Sequence, residues 1–312
     1  MAKVRLFMAG SENGLISLAR KIFLFCCILF FSQTALLYFY SCLHITQNAY
    51  LAAQIDKIEL LRNTPSPRLI LIGGSNLPFS IDSIRLSQAL GLPVVNMGLH
   101  GGLGLKYMLD SAKPLIRKDD FVIVAPEYEN FVGEFDGSET LLNLFLVTRD
   151  INDLLTIKTA DIFRAILDFK PVIPKAPYTR DSFNSSGDVI AHLSTANISF
   201  DPSTPLDPNL NYRSMDYLVD FMRECELKNI NAGYIFPCLM MTNYKINSSI
   251  IAKMETALRQ GISVIPGSTL MESIYADNLF FDNRYHTNSE GRRIRTKYLI
   301  TILGDWIKTR SK

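Results

Sequence analysis

Apolar and polar residues alternate along this chain in blocks that favour a parallel sheet covered by helices. Short apolar runs predict five strands, at residues 69–72, 94–96, 121–125, 232–236 and 263–265. Amphipathic spacing between and after them predicts helices at residues 82–90, 103–116, 215–227, 250–260 and about 289–308. Strands that are apolar on both faces and alternate with helices are typical of an α/β fold.

This rhythm breaks between the third and fourth predicted strands. Residues 139–169 have a helical pattern, whereas residues 170–211 are rich in Pro, Ser, Asn and Asp. A loop of this length is either functional or mobile. Connections that follow the carboxyl ends of parallel strands form the ligand crevice, so we predict an insertion at about 133–211 beside the functional site.

One segment is long and apolar enough to cross a membrane. Residues 22–43 contain no charged side chain, and about 20 helical residues span the apolar core of a bilayer. Four basic residues and one acid precede this segment, and basic flanks stay in the cytoplasm. We therefore expect a cytoplasmic N-terminus at 1–21 and an uncleaved transmembrane helix at 22–43. A membrane-proximal helix and linker at 44–68 and an exported domain at 69–312 would follow. A cleaved signal peptide is the alternative, although the apolar run is longer than usual for one.

Composition narrows the function only slightly. Hydrophobic residues make up 48% of the 312 residues, which is enough for a sizeable core. The net charge of +2, without long runs of one sign, gives no support to nucleic acid as a partner. Cys225 and Cys238 would lie in the exported domain, where an oxidising compartment would let them pair. The cysteines lack metal-ligand spacing, and we expect neither a metal nor a cofactor.

Two polar segments, about 200 residues apart, carry the chemistry. The first strand ends on Gly73-Gly74-Ser75-Asn76, a glycine turn that can expose the serine hydroxyl. Asp282 and His286 precede the last helix, and they could act as orienting group and base for Ser75. Alternatively, these residues have only a structural role: the serine ends the strand, and the Asp and His side chains form hydrogen bonds to the backbone. His100 is the competing base, and Asp277 is the alternative carboxylate.

The polar loop ahead of the last helix allows further readings. Thr287, followed three residues later by Glu290, predicts a capping box at the start of that helix. Four arginines cluster here: Arg284, Arg292, Arg293 and Arg295. They would form either a solvated helix face or a basic rim that binds an anionic glycan or lipid-linked sugar.

The two polar segments resemble the SGNH (GDSL-like) hydrolase and acyltransferase superfamily. The resemblance implies a flavodoxin-like, three-layer α/β fold, with helices on both faces of a parallel sheet, here preceded by one transmembrane helix. It implies that Ser75 is the nucleophile and that Asp282 and His286 complete the catalytic set. The segment Val94-Val95-Asn96-Met97-Gly98 resembles the second block of the family, so the Gly98 and Ser75 amides would bind the oxyanion, with Asn96 beside them.

The sequence departs from the family pattern in two places. Three residues separate Asp282 from His286, where the family usually has two. The third block of the family supplies an asparagine donor, whereas this chain has Ala125-Pro126-Glu127-Tyr128-Glu129-Asn130. Glu127 takes that place, and a carboxylate cannot donate a hydrogen bond unless it is protonated. Asn130 or Asn76 would then supply the side-chain donor.

By the same resemblance, the chain is similar to membrane-anchored proteins of the bacterial cell envelope. It would transfer an acyl group to, or hydrolyse an ester on, an envelope or secreted polysaccharide. Its partners would be a polysaccharide or lipid-linked glycan and a membrane-bound O-acyltransferase. The domain would lie outside the plasma membrane, in the periplasm of a Gram-negative cell. The alternatives are a non-catalytic glycan-binding or scaffold module and a phospholipid or lipoprotein esterase.

Overall fold

The computed structural model describes residues 2–44, 48–133, 137–155 and 178–310. Its centre is a four-stranded parallel sheet in the order β2-β1-β3-β4. The strands are β1 (Leu69–Gly73), β2 (Val94–Asn96), β3 (Phe121–Ala125) and β4 (Asn231–Tyr234). The predicted mixed α/β architecture with a parallel sheet is therefore confirmed.

Ten α-helices lie in the described part of the chain, and sequence periodicity predicted the longer ones. They are α1 (Ala2–His44), α2 (Ala53–Asn63), α3 (Asn76–Ser80), α4 (Ser83–Leu90), α5 (Leu105–Ala112), α6 (Ser138–Thr148), α7 (Ile151–Leu155), α8 (Tyr212–Leu227), α9 (Met241–Gly261) and α10 (Ser289–Arg310). Residues 156–169, which the sequence also predicts as helical, lie outside the described residues.

Four short strands form two small additional sheets. They are β5 (Leu239–Met240), parallel to β6 (Ile274–Tyr275), and β7 (Phe280–Asn283), antiparallel to β8 (His286–Thr287). The sequence did not predict them, because elements of two to four residues are too short to show a period. The predicted fifth strand at 263–265 is reduced to a single bridge, in which Val264 pairs with Tyr234 at the end of β4.

The central sheet is buried on both faces. Leu69 and Leu71 of β1 join one apolar cluster, whereas Ile70 and Ile72 join a second one. Successive side chains of a strand point to opposite faces, so an uninterrupted apolar run fills two cores at once. The first cluster includes Trp306 of α10. Polar side chains therefore lie mainly beyond the ends of these strands.

Helix α1 contains one stretch that is long and apolar enough to cross a membrane. The stretch is Gly14–Leu36, with 23 residues and a mean hydropathy of 2.1, and none of its most apolar part is buried against the protein. It overlaps the predicted span of 22–43 and begins eight residues earlier along the same continuous helix.

A buried carboxylate ties the described part of the predicted insertion to the rest of the domain. Asp188 is completely buried and accepts hydrogen bonds from the Ser83 amide at 2.8 Å and the Ser83 hydroxyl at 2.5 Å. It also accepts from Asn96 Nδ2 at 2.8 Å and from the Arg292 guanidinium at 3.0 Å. These contacts join the starts of α4 and α10 and the end of β2 through one side chain.

Two of the four clustered arginines lie neither on a solvated face nor on a basic rim. Arg292 and Arg295 are buried, and the Arg295 guanidinium donates to the Phe236 carbonyl at 2.9 Å. Arg293 alone of the three on α10 is exposed, and it pairs with Glu290 at 2.6 Å. Both readings were wrong for Arg292 and Arg295, because apolar periodicity does not show where an arginine finds a buried acceptor.

The predicted capping box is also wrong. Helix α10 begins at Ser289, and Asn288 caps it by accepting from the Gly291 amide at 3.1 Å. Thr287 lies one residue earlier in β8 and is completely buried. Its hydroxyl instead donates to the Phe79 carbonyl at 3.4 Å, which ties the β7–β8 hairpin to α3.

We expect Asp188→Ala to reduce the free energy of unfolding by roughly 3 to 5 kcal/mol, because Arg292 would remain buried without its partner. Urea denaturation of the full-length protein in detergent measures this change. The control is Glu290→Ala, which removes an exposed ion pair and should leave the unfolding midpoint unchanged. Equal midpoints for Asp188→Ala and the control would contradict the role of Asp188.

Candidate active site

Ser75 lies where the backbone leaves the sheet and enters a helix. Strand β1 ends at Gly73, and Ser75 is the residue immediately before α3. Gly74 leaves the space that the Glu127 carboxyl group occupies, because a Cβ at this position would overlap that group. The apolar strand, the glycine turn and the short helix together place the serine hydroxyl at the carboxyl edge of the sheet.

Two hydrogen bonds join Ser75 to a histidine and an aspartate from the other end of the chain. Ser75 Oγ lies 2.8 Å from His286 Nε2, and His286 Nδ1 lies 2.8 Å from Asp282 Oδ1. A carboxylate can only accept, so Nδ1 carries the proton towards Asp282 and Nε2 can accept from the serine. This is the arrangement in which an imidazole removes a hydroxyl proton from a nucleophile.

The unusual spacing of Asp282 and His286 is explained by a hairpin. Strand β7 ends at Asn283, Arg284 and Tyr285 form the turn, and β8 begins at His286. Asn283 pairs with His286 across the hairpin, and the register shifts between Phe280 and Asn283. The irregular hairpin absorbs the additional residue and still brings the Asp282 carboxylate to the imidazole.

Two side chains that sequence reasoning missed hold this hydrogen-bonded set in place. The Phe79 ring stacks on the His286 ring, with centroids 3.7 Å apart and an interplanar angle of 6°. The Tyr178 hydroxyl donates to Asp282 Oδ2 at 2.5 Å. Phe79 lies four residues after Ser75, so recognising α3 would have indicated it. Tyr178 belongs to the predicted insertion, and no local pattern indicates its contact with Asp282.

The environment of Asp282 favours its ionised form. Burial opposes ionisation, but the hydrogen bonds from His286 and Tyr178 and the charge of His286 lower the pKa of Asp282 below its ordinary value. The side chain of His286 is only 11% exposed. A carboxylate that stays charged beside a sheltered imidazole can stabilise the imidazolium formed when the serine loses its proton.

Glu127 lies directly beside Ser75. Its Oε1 accepts from the Asn76 amide at 2.9 Å and is 3.4 Å from Ser75 Oγ. Glu127 is 3% exposed, and burial raises its pKa from 4.5 to about 7, against the opposing effect of the Asn76 hydrogen bond. The nearby charge of Glu129 raises this pKa further.

The other predicted oxyanion and substrate residues divide into two groups. Asn130 lines the same cavity as Ser75 and Glu127, and its Nδ2 donates to the Glu127 carbonyl at 3.3 Å. The Asn76 side chain instead donates to the Ala125 carbonyl at 2.8 Å, inside the fold. The Gly98 amide donates to Asn96 Oδ1 at 3.1 Å, so the structure does not direct this amide or the Asn96 side chain at the serine.

The competing residues have other contacts. His100 lines the cavity, but its Nδ1 accepts from the Gly102 amide at 2.9 Å. Asp277 accepts from the Thr242 amide at 3.0 Å at the start of α9, away from His286. His192 is buried, with Nε2 3.1 Å from the Thr287 carbonyl, and burial lowers its pKa to about 4.

The two cysteines of the domain, Cys225 and Cys238, are both buried and do not form a disulfide with each other.

Ser75 and His286 open onto a cavity of about 530 Å³ with aromatic and polar walls. Its aromatic lining includes Tyr50, Tyr178 and Phe200. Arg284 forms an ion pair with Glu129 on its wall, and the Tyr285 hydroxyl donates to Glu129 at 2.6 Å. In the described residues, no three His, Cys, Asp or Glu side chains are placed to hold a metal ion.

Comparison with known proteins does not assign this chain to a family. No protein-family model matches it, and no curated protein is significantly similar to it. The chemistry of the cavity must therefore be read from its geometry. That geometry places a serine, a histidine and an aspartate in hydrogen-bonding sequence at one wall, where they have the arrangement that a nucleophile, a base and an orienting group require.

We expect Tyr178→Phe to slow covalent labelling of Ser75 by a fluorophosphonate roughly tenfold, because Asp282 Oδ2 loses its donor and orients the imidazole less well. Second-order labelling rate constants of the full-length protein measure the effect. Tyr298→Phe, outside the cavity lining, is the control and should label like the wild type. An unchanged rate for Tyr178→Phe would show that Asp282 needs no second donor.

We expect the stability difference between the wild type and Glu127→Gln to depend on pH. Because the pKa of Glu127 in the folded protein exceeds that of the unfolded chain, its contribution is fully present below about pH 4.5 and is lost as the pH rises through about 7. The glutamine does not titrate. The difference in free energy of unfolding should therefore change by on the order of 3 kcal/mol in favour of the variant.

Urea denaturation at a series of pH values tests this expectation, with the exposed Glu272→Gln as the control. Parallel stability curves for the wild type and Glu127→Gln would show that the Glu127 carboxyl group titrates normally.

Proposed function

We propose that this protein catalyses acyl-ester chemistry through an acyl-enzyme on Ser75. The observation that carries the proposal is the pair of 2.8 Å hydrogen bonds that joins Ser75 to His286 and His286 to Asp282. His286 would take the proton of Ser75 Oγ as the oxygen attacks the acyl carbonyl, and then protonate the leaving alcohol. A sugar hydroxyl or water would complete the cycle, giving transfer or hydrolysis.

We also propose that the domain has a flavodoxin-like, three-layer fold of the SGNH type. The strand order β2-β1-β3-β4 supports this, with the Val264 bridge in place of a fifth strand beside β4. The nucleophile follows β1 and the Asp/His pair immediately precedes the last helix, which is the family's order of motifs. Apolar clusters on both faces of the sheet are consistent with helices covering each of them.

The proposed substrate is an envelope or secreted polysaccharide, or a lipid-linked glycan, with acetyl as the proposed acyl group. The cavity suits such a ligand, because aromatic walls contact apolar ring faces and polar groups bind hydroxyls. Tyr50 lines this cavity only six residues after α1 ends at His44. The cavity therefore lies close along the chain to the helix that can cross a membrane.

That proximity supports a working place beside the membrane. We propose a single-pass protein with its N-terminus in the cytoplasm and its catalytic domain outside, in the periplasm of a Gram-negative cell. A membrane-bound O-acyltransferase is the proposed partner, since it could export the acyl group that Ser75 receives. The basic residues before the charge-free run at 22–43 support this orientation.

One observation favours a second function, a membrane-anchored module that binds glycan or organises a complex without catalysis. The Asn76 amide, which follows the nucleophile, is already bonded to the Glu127 carboxylate. An ionised carboxylate at this point would oppose the negative charge of a tetrahedral intermediate. The two functions differ in whether Ser75 reacts.

Labelling with a fluorophosphonate distinguishes them. We expect the full-length protein to be labelled, and Ser75→Ala and His286→Ala to lose about a thousandfold or more of the labelling rate, because the nucleophile or its base is missing. Ser203→Ala is the control, since Ser203 is an exposed serine near the cavity and should not affect labelling.

A folded wild-type protein that resists labelling would favour the binding module. Labelling that survives Ser75→Ala would show that another residue is the nucleophile.

A further inference from the structure

The Asn76 amide has a position that catalysis through Ser75 requires. The backbone N–H of the residue after a serine nucleophile is a standard donor to the oxygen that becomes negative in the tetrahedral intermediate. Here that N–H donates to Glu127 Oε1 at 2.9 Å, and the same oxygen lies 3.4 Å from Ser75 Oγ. The Glu127 carboxyl group therefore borders the point where the oxyanion must form.

Two glycines leave space for this carboxyl group. Cβ atoms at Gly74 and Gly101, which come from two different loops, would each overlap Glu127 Oε2. Glu127 is 3% exposed, and its Oε2 has no hydrogen-bond partner among the described residues. Oε1 of this buried acid accepts from the first amide of α3, but that contact does not explain why Oε2 is left unsatisfied beside Ser75.

The surroundings of Glu127 provide no charge to compensate an ionised carboxylate. In the described part of the chain it forms no ion pair, and the nearby Arg284 is paired with Glu129. The titratable and polar groups that face or influence Glu127 come from six segments. They are Tyr50; Ser75 and Asn76; His100; Glu129; Cys238; and Arg284, Tyr285 and His286. This environment favours the neutral acid.

We propose that Glu127 is a catalytic residue, the neutral side-chain donor of the oxyanion hole. This role rests on the proposed acyl-enzyme function. When protonated, Glu127 donates its O–H to the acyl oxygen beside Ser75 and leaves the Asn76 N–H free to donate as well. When ionised, it keeps its hydrogen bond from the Asn76 amide and repels the oxyanion, so Ser75 does not react.

The step balances without net transfer of the Glu127 proton. Ser75 Oγ forms a bond to the acyl carbon as His286 Nε2 takes the hydroxyl proton, and the carbonyl π electrons move onto the acyl oxygen. That oxyanion accepts the hydrogen bond from Glu127, whose proton stays on the carboxyl group. When the intermediate collapses, the bond to the leaving oxygen breaks and that oxygen takes the proton from His286.

This role predicts a specific alkaline limb in the pH profile. Burial raises the pKa of Glu127 to about 7, so the wild type should lose its donor as the pH rises through this value. Glu127→Gln keeps the size of the side chain and donates through its amide N–H at every pH. The variant should therefore remain reactive where the wild type declines.

The test measures second-order fluorophosphonate labelling of the full-length protein between about pH 5.5 and 9 for the wild type, Glu127→Gln and Glu127→Ala. We expect the wild-type rate to fall up to tenfold per pH unit above pH 7, and the glutamine variant to exceed it at least tenfold at about pH 9. Glu127→Ala lacks a donor and should be about a hundredfold slower at the lower pH values. The exposed Glu272→Gln is the matched control and should follow the wild type.

The outcomes separate this role from the proposed function. If the wild type and Glu127→Gln are labelled with the same pH profile, Glu127 is not the donor, although the acyl-enzyme function stands. If Glu127→Gln is folded by circular dichroism but unreactive at every pH while the wild type is labelled, the carboxylate itself is needed and the role is wrong. If no protein is labelled at any pH, the proposed function fails and this role fails with it.

Discussion

The site depends on the β7–β8 hairpin lying against α3. Ser75 and His286 are 211 positions apart, and their contact exists because α3 and the hairpin share several hydrogen bonds. Ser80 donates to the Tyr285 carbonyl at 3.0 Å, and Thr287 donates to the Phe79 carbonyl. The stacked Phe79 then limits the movement of the His286 ring. Buried backbone groups need partners, so satisfying them in this way also sets the relative positions of Ser75 and His286.

Buried charged side chains fix the positions of the segments around the Ser75–His286 contact. Asp188 gathers polar groups from α4, β2 and α10, all of which lie near the carboxyl end of the sheet. A second buried pair, Arg68 with Asp120 at 3.2 Å, lies at the start of β1 and β3. Such pairs add little net stability, because burying two charges is costly, but losing one partner is severe. They therefore favour one arrangement of the segments strongly over others.

Glu127 is a residue that lowers the stability of the folded protein when it ionises, yet it lies at the candidate site. A buried carboxyl group without an ion-pair partner among the described residues destabilises the folded protein when it ionises, and an amide of the same shape would avoid that cost. Residues that reduce stability in this way tend to occur at functional sites. The same carboxyl group explains Gly74 and Gly101, which would otherwise read only as turn residues.

Local patterns predicted the parallel sheet, the longer helices, the apolar N-terminal stretch and the candidate residues Ser75, Asp282 and His286. These features depend on periodicity and on short motifs, which can be read from neighbouring residues. The contacts of Tyr178, Asp188 and the buried arginines could not be read in this way, because their partners lie far away in the chain. Tertiary structure also directed Gly98 and Asn96 at each other instead of at the serine, and placed Glu127 on the Asn76 amide. A motif shows which donors exist, but hydrogen-bond partners are chosen only when the folded chain brings acceptors within reach.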